Sequence, residues 1–74
     1  MDIHNLVSMA NRIGQFFESF NDREEALEGI RQHIHKFWEP RMRRELLLCL
    51  DGEEAQGLMP IVVDALNAQR AAWA

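Results

Sequence analysis

The sequence predicts an all-α fold: a small bundle of three or four helices with short connections, formed by residues 1–74 as a single domain. Apolar residues recur at the helical period in four segments, and none of these segments alternates as a strand would. Short stop signals separate the segments, namely Asn21–Asp22, Pro40 and Asp51–Gly52. Because so short a chain buries only about 60–65% of its unfolded surface, we expect a marginal core that gains stability from a partner.

The first helix is predicted over about residues 3–19, with Asp2 as its N-cap. Met9, Phe16 and Phe20 widen its apolar stripe to nearly half of the circumference. This arc is broader than contact with one neighbour requires, so we expect the helix to touch two or more elements. The residues at the centre of the stripe are Ile3, Leu6, Val7, Ala10, Ile13, Gly14 and Phe17.

The second helix is predicted over about residues 22–38, with Asn21–Asp22 as its capping signal and acidic side chains in its first turns. Pro40 ends this helix, since the residue before a proline is pushed out of the α region. We expect Phe37 and Trp38 to pack in the core and to anchor the corner at Pro40 from inside. The whole apolar stripe consists of Leu27, Ile30, Ile34, Phe37 and Trp38.

Pro40 also begins the third helix, predicted over about residues 40–50, because its missing N–H costs nothing at the first helical position. Residues 51–59 are predicted to form an acidic loop. Pro60 then begins a fourth helix over about residues 60–72. Its apolar side takes Ile61, Val62, Ala65, Leu66 and Trp73.

Three arginines lie in the first turn of the third helix, where each cation is unfavourable by about 0.3–1 kcal/mol. Arg41 and Arg44 share a face with Leu48, whereas Arg43 points elsewhere. Since arginine is enriched at interface cores, this face is a candidate partner surface. The alternative is that Leu48 packs under the fourth helix while the arginines pair with nearby carboxylates. Trp73 is a fourth candidate interface residue, which either inserts into a partner or closes the end of the bundle.

The composition argues against several classes of function. A net charge of −4 opposes free nucleic-acid binding, which favours a basic face. No apolar run approaches the roughly 20 residues of a membrane span, and the first residues lack the charged and apolar regions of a signal peptide. The single cysteine, Cys49, excludes an internal disulfide, a protein-ligated iron–sulfur cluster and a cysteine zinc site. We expect a reducing, cytoplasmic setting.

We expect no catalytic, cofactor-binding or metal-binding residue in this chain. His33 and His35 are two residues apart on a helix, so their side chains point about 200° apart and cannot share an ion. We expect His33 at the boundary of the core and His35 in solvent. Cys49 falls on the apolar stripe of the third helix, which predicts a buried hydrophobic residue rather than a nucleophile.

Two segments resemble one protein family closely: Met9-Ala-Asn-Arg-Ile-Gly-Gln-Phe-Phe17 and Ile30-Arg-Gln-His-Ile-His-Lys-Phe-Trp-Glu-Pro-Arg-Met-Arg-Arg-Glu-Leu46. They are similar to the delta subunit of bacterial NAD-dependent formate dehydrogenases, and the run Phe-Trp-Glu-Pro-Arg-Met-Arg is the most distinctive part. The resemblance is close from the start of the chain to about Leu50 and looser over residues 57–66. The family tends to carry a polar capping residue where this chain has Met59.

The resemblance implies an accessory, non-catalytic role in a soluble, cytoplasmic complex that oxidises formate to carbon dioxide and reduces NAD. In such complexes the alpha chain carries a molybdenum or tungsten pterin and iron–sulfur clusters, and other chains carry FMN and further clusters. The delta chain is expected to dock on the alpha chain and to support assembly, stability or cofactor maturation. Two alternatives stay open: a small helix-turn-helix-like module that binds nucleic acid or regulates, and a transient assembly chaperone.

Overall fold

The computed structural model describes residues 2–73. This part of the chain contains five α-helices, one short 3-10 helix and no strand, which confirms the predicted all-α class. The 3-10 helix spans Glu53–Gly57. The α-helices are α1 (Ile3–Glu18), α2 (Arg23–Phe37), α3 (Pro40–Cys49), α4 (Pro60–Asn67) and α5 (Arg70–Trp73).

Aspartate side chains cap the first two helices, as the sequence predicts. The Asp2 carboxylate accepts a hydrogen bond from the backbone N–H of His4 at 3.0 Å. The Asp22 carboxylate accepts from the N–H groups of Glu24 at 3.0 Å and Glu25 at 3.4 Å. Such caps satisfy N–H groups that have no partner inside the helix, and each is typically worth about 1 kcal/mol.

Helix α1 organises the packing of the bundle. It contacts α2, α3, α4 and the 3-10 helix, in agreement with the breadth of its predicted apolar stripe. Its backbone comes close to α4 at Gly14, where an added Cβ would lie 2.6 Å from Cγ2 of Val62. The largest fully buried side chains come from α1 to α4 and are Leu6, Ile30, Ile34, Leu46, Val62 and Leu66.

The corner between α2 and α3 differs from the prediction in one side chain. Trp38 is buried, with 6% exposure, but Phe37 is 71% exposed. Ile30, Ile34 and Trp38 are spaced four residues apart and form the buried line of α2. Phe37 lies on the neighbouring line with His33, and the two rings pack with their centroids 4.8 Å apart. The prediction that Phe37 anchors the corner from the core is therefore wrong.

Phe16 is likewise more exposed than the wide stripe of the first helix suggests, with 66% of its surface accessible. It lies about 100° around the helix from Phe17, which packs partly into the core. The ring of Phe16 meets Phe17 edge-on at 4.9 Å and Phe20 at 5.9 Å between centroids. The buried stripe of α1 is therefore narrower than predicted at its C-terminal end.

The predicted acidic loop over residues 51–59 contains a turn of regular structure. Glu53–Gly57 form the 3-10 helix, and Leu58 follows it into the core with 6% exposure. The backbone N–H of Leu58 bonds to the carbonyl of Ala55 at 3.1 Å, three residues back, as in a 3-10 turn. A turn this short has too few residues to show an apolar period, so the sequence pattern predicts only a loop.

The predicted helix over residues 60–72 is divided into α4 and α5. Gln69 donates its N–H to the carbonyl of Leu66 at 3.0 Å, which tightens the chain at this point. Arg70, the first residue of α5, pairs with Asp51, whose carboxylate lies 3.1 Å from the guanidinium. Helix α5 packs against α3.

Asn11 links α1 to the start of α4. Its Nδ2 donates to the carbonyl of Gly57 at 2.8 Å, and its Oδ1 accepts from the N–H of Met59 at 2.9 Å. Met59 is the N-cap residue of α4, and its thioether is a poor capping group. In a capping box, a side chain in the first turn of the same helix accepts a hydrogen bond from the N-cap N–H. Here Asn11, which lies on a different helix, accepts that bond instead.

Replacing Asn11 with alanine is expected to lower the free energy of unfolding by about 1–3 kcal/mol, because it removes both bonds and leaves the Met59 N–H unpaired. The corresponding fall in Tm is about 4–8 °C for each kcal/mol in a domain of this size. Thermal unfolding followed by circular dichroism measures the effect. Gln15→Ala removes an exposed amide from the same helix and should change stability by less than about 0.5 kcal/mol. Equal midpoints for the two variants would contradict the role of Asn11.

Candidate interaction surface

Arg43 turns away from solvent, although it lies in the first turn of α3. Its Nη1 donates to the carbonyl oxygens of Trp38 at 2.9 Å and His35 at 3.1 Å. These carbonyls lie at the C-terminal end of α2, the negative end of that helix dipole, where a cation is favourable. The guanidinium also lies 5.8 Å from the centroid of the Trp73 ring. These contacts offset part of the unfavourable position of the Arg43 charge at the start of α3, while Nε of the same guanidinium is buried and has no hydrogen-bond partner among residues 2–73.

Arg41, Arg44 and Leu48 point outward and form a surface that we call the α3 outer face. Leu48 is 73% exposed, which excludes the alternative in which it packs under the fourth helix. Nε of Arg41 lies 3.9 Å from Oε1 of Glu45, a long and exposed contact that contributes little to stability. Arg44 is exposed and forms no ion pair with any residue from 2 to 73. Two cations and one large apolar side chain are thus presented together to solvent.

The α3 outer face borders two depressions. A groove of about 670 Å³ lies along the junction of α3 and α5. A smaller depression of about 290 Å³ lies on the other side of Leu48, against Ile3 and Glu54. Leu48 borders both and forms a ridge between them, a shape that a partner can cover from two sides. The groove between α3 and α5 is lined by Arg44, Leu47, Leu48, Asp51, Arg70 and Ala71.

Trp73, the fourth residue predicted for the interface, lies apart from the other three. Its side chain is buried, with 8% exposure. The ring lies beside Arg43 and stacks against His35, with centroids 6.3 Å apart and planes 13° from parallel. In this position Trp73 closes the end of the bundle between α2 and α3, so the exposed candidates are Arg41, Arg44 and Leu48.

A second apolar surface was not predicted from the sequence. Phe16 and Phe37 are exposed on neighbouring helices, and His33 lies between them on α2. Both phenylalanines belong to adjacent aromatic pairs, Phe16–Phe17 and Phe37–Trp38. Adjacent residues on a helix point about 100° apart, so one ring of each pair is driven away from a single narrow core face. These two dipeptides are the sequence signal that could have revealed the second surface.

The remaining titratable candidates do not assemble into a reactive site. Cys49 is buried, with 3% exposure, and its thiol donates to the carbonyl of Glu45 at 3.4 Å. Burial, and to a smaller degree the nearby Glu54 carboxylate, raises the pKa of the Cys49 thiol above its ordinary value. The thiol therefore stays protonated at neutral pH, the form that is neither nucleophile nor metal ligand. His33 is half-buried and His35 is exposed, as the sequence predicts.

The described residues also lack a cluster that fits a metal or cofactor. Across residues 2–73, no three His, Cys, Asp or Glu side chains lie close enough together to hold a metal ion. Elsewhere on α2, Arg31 and Gln32 donate to the Glu28 carboxylate and lower its pKa. No helix in the described part of the chain is both long and apolar enough to cross a bilayer.

Comparison with known proteins identifies the family. The family model for the NADH-dependent formate dehydrogenase delta subunit, FdsD, matches residues 5–66. The matched stretch extends from α1 into α4 and includes the Phe37–Arg43 run, whereas α5 lies outside it. Neither a curated protein nor a solved structure matches the chain. Because the match covers most of the chain, the resemblance inferred from its residues is confirmed, and the chain belongs to the delta subunit family of NADH-dependent formate dehydrogenases.

Proposed function

We propose that this chain is a non-catalytic accessory subunit of a cytoplasmic NAD-dependent formate dehydrogenase and that it docks on the catalytic alpha chain. The observation that carries the docking proposal is the α3 outer face. There, Leu48 is 73% exposed beside Arg44, whose charge is not paired with a carboxylate in the described part of the chain. Docking supports the assembly or stability of the complex, or the maturation of its cofactor.

The energetics of the α3 outer face favour its use by a partner. Each arginine in the first turn of a helix is disfavoured by about 0.3–1 kcal/mol. Arg43 offsets this through contacts inside the chain, whereas the one ion pair of Arg41 with residues 2–73 is the long contact to Glu45. Fully covering a leucine side chain contributes about 1.5–3 kcal/mol. A partner therefore gains binding free energy in two ways: it covers the apolar side chain of Leu48, and its carboxylates pair with Arg41 and Arg44.

Charge and shape indicate the chemistry of the complementary surface. The chain as a whole carries a net charge of −4, yet the α3 outer face presents two cations around an apolar ridge, and the depressions beside the ridge also hold Asp51 and Glu54. The matching surface on the alpha chain is an apolar pocket with Asp or Glu at its edge. Arginine suits such a site because its guanidinium can bind a carboxylate through two parallel hydrogen bonds. The acidic phosphates of nucleic acid are a poorer match, since the rest of this chain repels them.

We propose that the cofactors of the complex are held by its other chains. These are the molybdenum or tungsten pterin, the iron–sulfur clusters, FMN and NAD. Iron–sulfur clusters are held by sets of cysteine thiolates, whereas this chain has one cysteine and that thiol is buried. The delta chain contributes to the complex through its surface.

Affinity purification of the tagged chain from cells that make the complex is the experiment that tests the proposal. It is expected to recover the catalytic alpha chain together with formate-dependent reduction of NAD. A chain recovered only as a stable free monomer would contradict the proposal. Quantitative mass spectrometry of the active complex adds the stoichiometry: one delta chain for each alpha chain supports a permanent subunit, whereas near absence from the active complex supports a transient assembly chaperone.

A further inference from the structure

Helix α5 is attached to the bundle chiefly through one side chain. It spans only the four residues Arg70–Trp73, and helices this short are not stable without tertiary contacts. Among these four residues Trp73 alone is buried, with 8% exposure. Its ring stacks on His35 with centroids 6.3 Å apart, and the Arg43 guanidinium lies 5.8 Å from the ring centroid. The position of α5 therefore depends on the seating of the Trp73 ring.

The other attachments of α5 are exposed. Arg70 donates to the Asp51 carboxylate at 3.1 and 3.3 Å and to Oδ1 of Asn67 at 3.0 Å. The Arg70 and Asp51 side chains are 44% and 68% accessible, and ion pairs as exposed as this one contribute little to stability. Depressions border α5 on both sides, of about 410 Å³ towards α2 and about 670 Å³ towards α3. Loss of the Trp73 ring is therefore expected to release α5 from α3.

The larger depression, which we call the α3–α5 groove, adjoins the α3 outer face. It is lined by Arg44, Leu47, Leu48, Asp51, Arg70 and Ala71. Leu48 belongs to α3 and Ala71 to α5, so a surface that covers Leu48 from this side also meets Ala71. Asp51 and Arg70 pair with each other, whereas Arg44 forms no ion pair with residues 2–73. The groove therefore favours a carboxylate, as the α3 outer face does.

Trp73 acts on the α3–α5 groove without lining it. Its ring borders the depression on the α2 side together with Ala72, whereas Ala71 lines the α3–α5 groove. A partner in the groove thus contacts α5 without touching the Trp73 ring. Because the α5 wall exists only while α5 lies against α3, such a partner binds the seated form better. Binding of the partner and seating of α5 then stabilise each other.

We propose that α5 forms the second wall of the surface that docks on the catalytic alpha chain, and that Trp73 positions this wall by holding α5 against the bundle. The rim of the alpha-chain pocket that covers Leu48 enters the α3–α5 groove. Its apolar side chains lie against Leu47 and Ala71, and its carboxylate pairs with Arg44. This inference rests on the proposed function, since it extends the same docking surface from α3 to α5.

Two adjacent alanines on α5 provide a matched test of the wall. Ala71 and Ala72 are both exposed, but only Ala71 lines the α3–α5 groove. Ala71→Gln places a larger, polar side chain in the groove. It should raise several-fold the dissociation constant for a formate dehydrogenase complex prepared without this chain. Ala72→Gln places the same side chain on the α2 side and should leave that constant unchanged. Both variants keep Trp73, so both should stay folded.

Trp73→Ala tests the positioning role. Hydrogen exchange of the C-terminal peptide, read by mass spectrometry, measures the seating of α5, in which the Trp73 N–H donates to the carbonyl of Gln69 at 3.0 Å. We expect this peptide to exchange several-fold faster in the variant, while α1 to α3 keep their protection. The dissociation constant should rise in proportion to the fall in the seated fraction. Trp73→Phe keeps an aromatic ring and should recover part of both losses. In the unmodified chain, binding to the complex should slow exchange of the same peptide.

The possible failures of this inference and of the proposed function are distinguishable. An unchanged dissociation constant for Trp73→Ala, with its C-terminal peptide exchanging freely, would overturn the inference and leave the α3 outer face as the docking surface. Equal constants for Ala71→Gln and Ala72→Gln would overturn the α5 wall. Loss of protection throughout Trp73→Ala would overturn the positioning role, because Trp73 would then stabilise the whole chain. Failure of the unmodified chain to bind the complex would overturn the proposed function itself.

Discussion

Replacing Arg43 with alanine is expected to destabilise the isolated chain by about 2–4 kcal/mol, because hydrogen bonds to charged groups are among the strongest single contacts in proteins. The change removes the donor that serves the carbonyls of His35 and Trp38 at the end of α2. It also removes the cation beside the buried ring of Trp73. The fall in Tm should be about 10 °C or more for a domain of this size. Thermal unfolding followed by circular dichroism or calorimetry measures it.

The neighbouring arginine provides a matched control for this prediction. Arg44→Ala removes the same side chain one position along α3, where it is exposed and unpaired within the described residues. Its effect on stability should stay within about 0.5 kcal/mol. Arg43→Lys keeps the charge and the apolar stem but loses the planar fork, so it should recover only part of the loss. If Arg43→Ala and Arg44→Ala unfold at the same temperature, Arg43 does not hold the corner.

The starts of the helices could be predicted from the sequence because local chemistry determines them. Asp2 and Asp22 cap α1 and α2 with their own carboxylates. Pro40 and Pro60 occupy the first position of α3 and α4. Each signal acts within one turn of the residue that carries it, so a single sequence contains it in full.

Features that depend on distant contacts could not be predicted in this way. The start of α4 is supported by Asn11, which is 48 residues away from Met59 in the chain. Arg70, at the start of α5, pairs with Asp51, which is 19 residues away in the chain. No local pattern records either pairing. The sequence therefore predicts a continuous helix over residues 60–72 and only a loop before it.

The candidate site shows the same division between local and distant information. The exposure of Leu48 follows from the run Leu46–Leu50, which is apolar around the whole helix and wider than one packed face requires. The separate position of Arg43 follows from helical geometry, but its use as a bond donor to α2 requires the folded corner. The burial of Trp73 depends on the turn that precedes α5, and the helical period alone could not decide it.

The double substitution Arg44→Gln and Leu48→Gln is expected to weaken binding to the complex by about tenfold or more, equivalent to at least about 1.4 kcal/mol. It removes one cation and the apolar ridge of the α3 outer face. Arginine is enriched among the residues that dominate interface energies, and covering a leucine side chain contributes about 1.5–3 kcal/mol. Glutamine has nearly the helix propensity of leucine and arginine, so α3 should remain intact. Lys36→Gln is the matched control, since it removes one exposed cation from α2.

The dissociation constant of the purified chain for a formate dehydrogenase complex prepared without it tests the docking claim most directly. The proposal predicts that the double variant raises this constant about tenfold or more, while Lys36→Gln leaves it unchanged and all three proteins keep the same helical content. An unchanged dissociation constant for the double variant would contradict docking through the α3 outer face. A loss of helical content in that variant would show instead that Arg44 and Leu48 stabilise the chain from within.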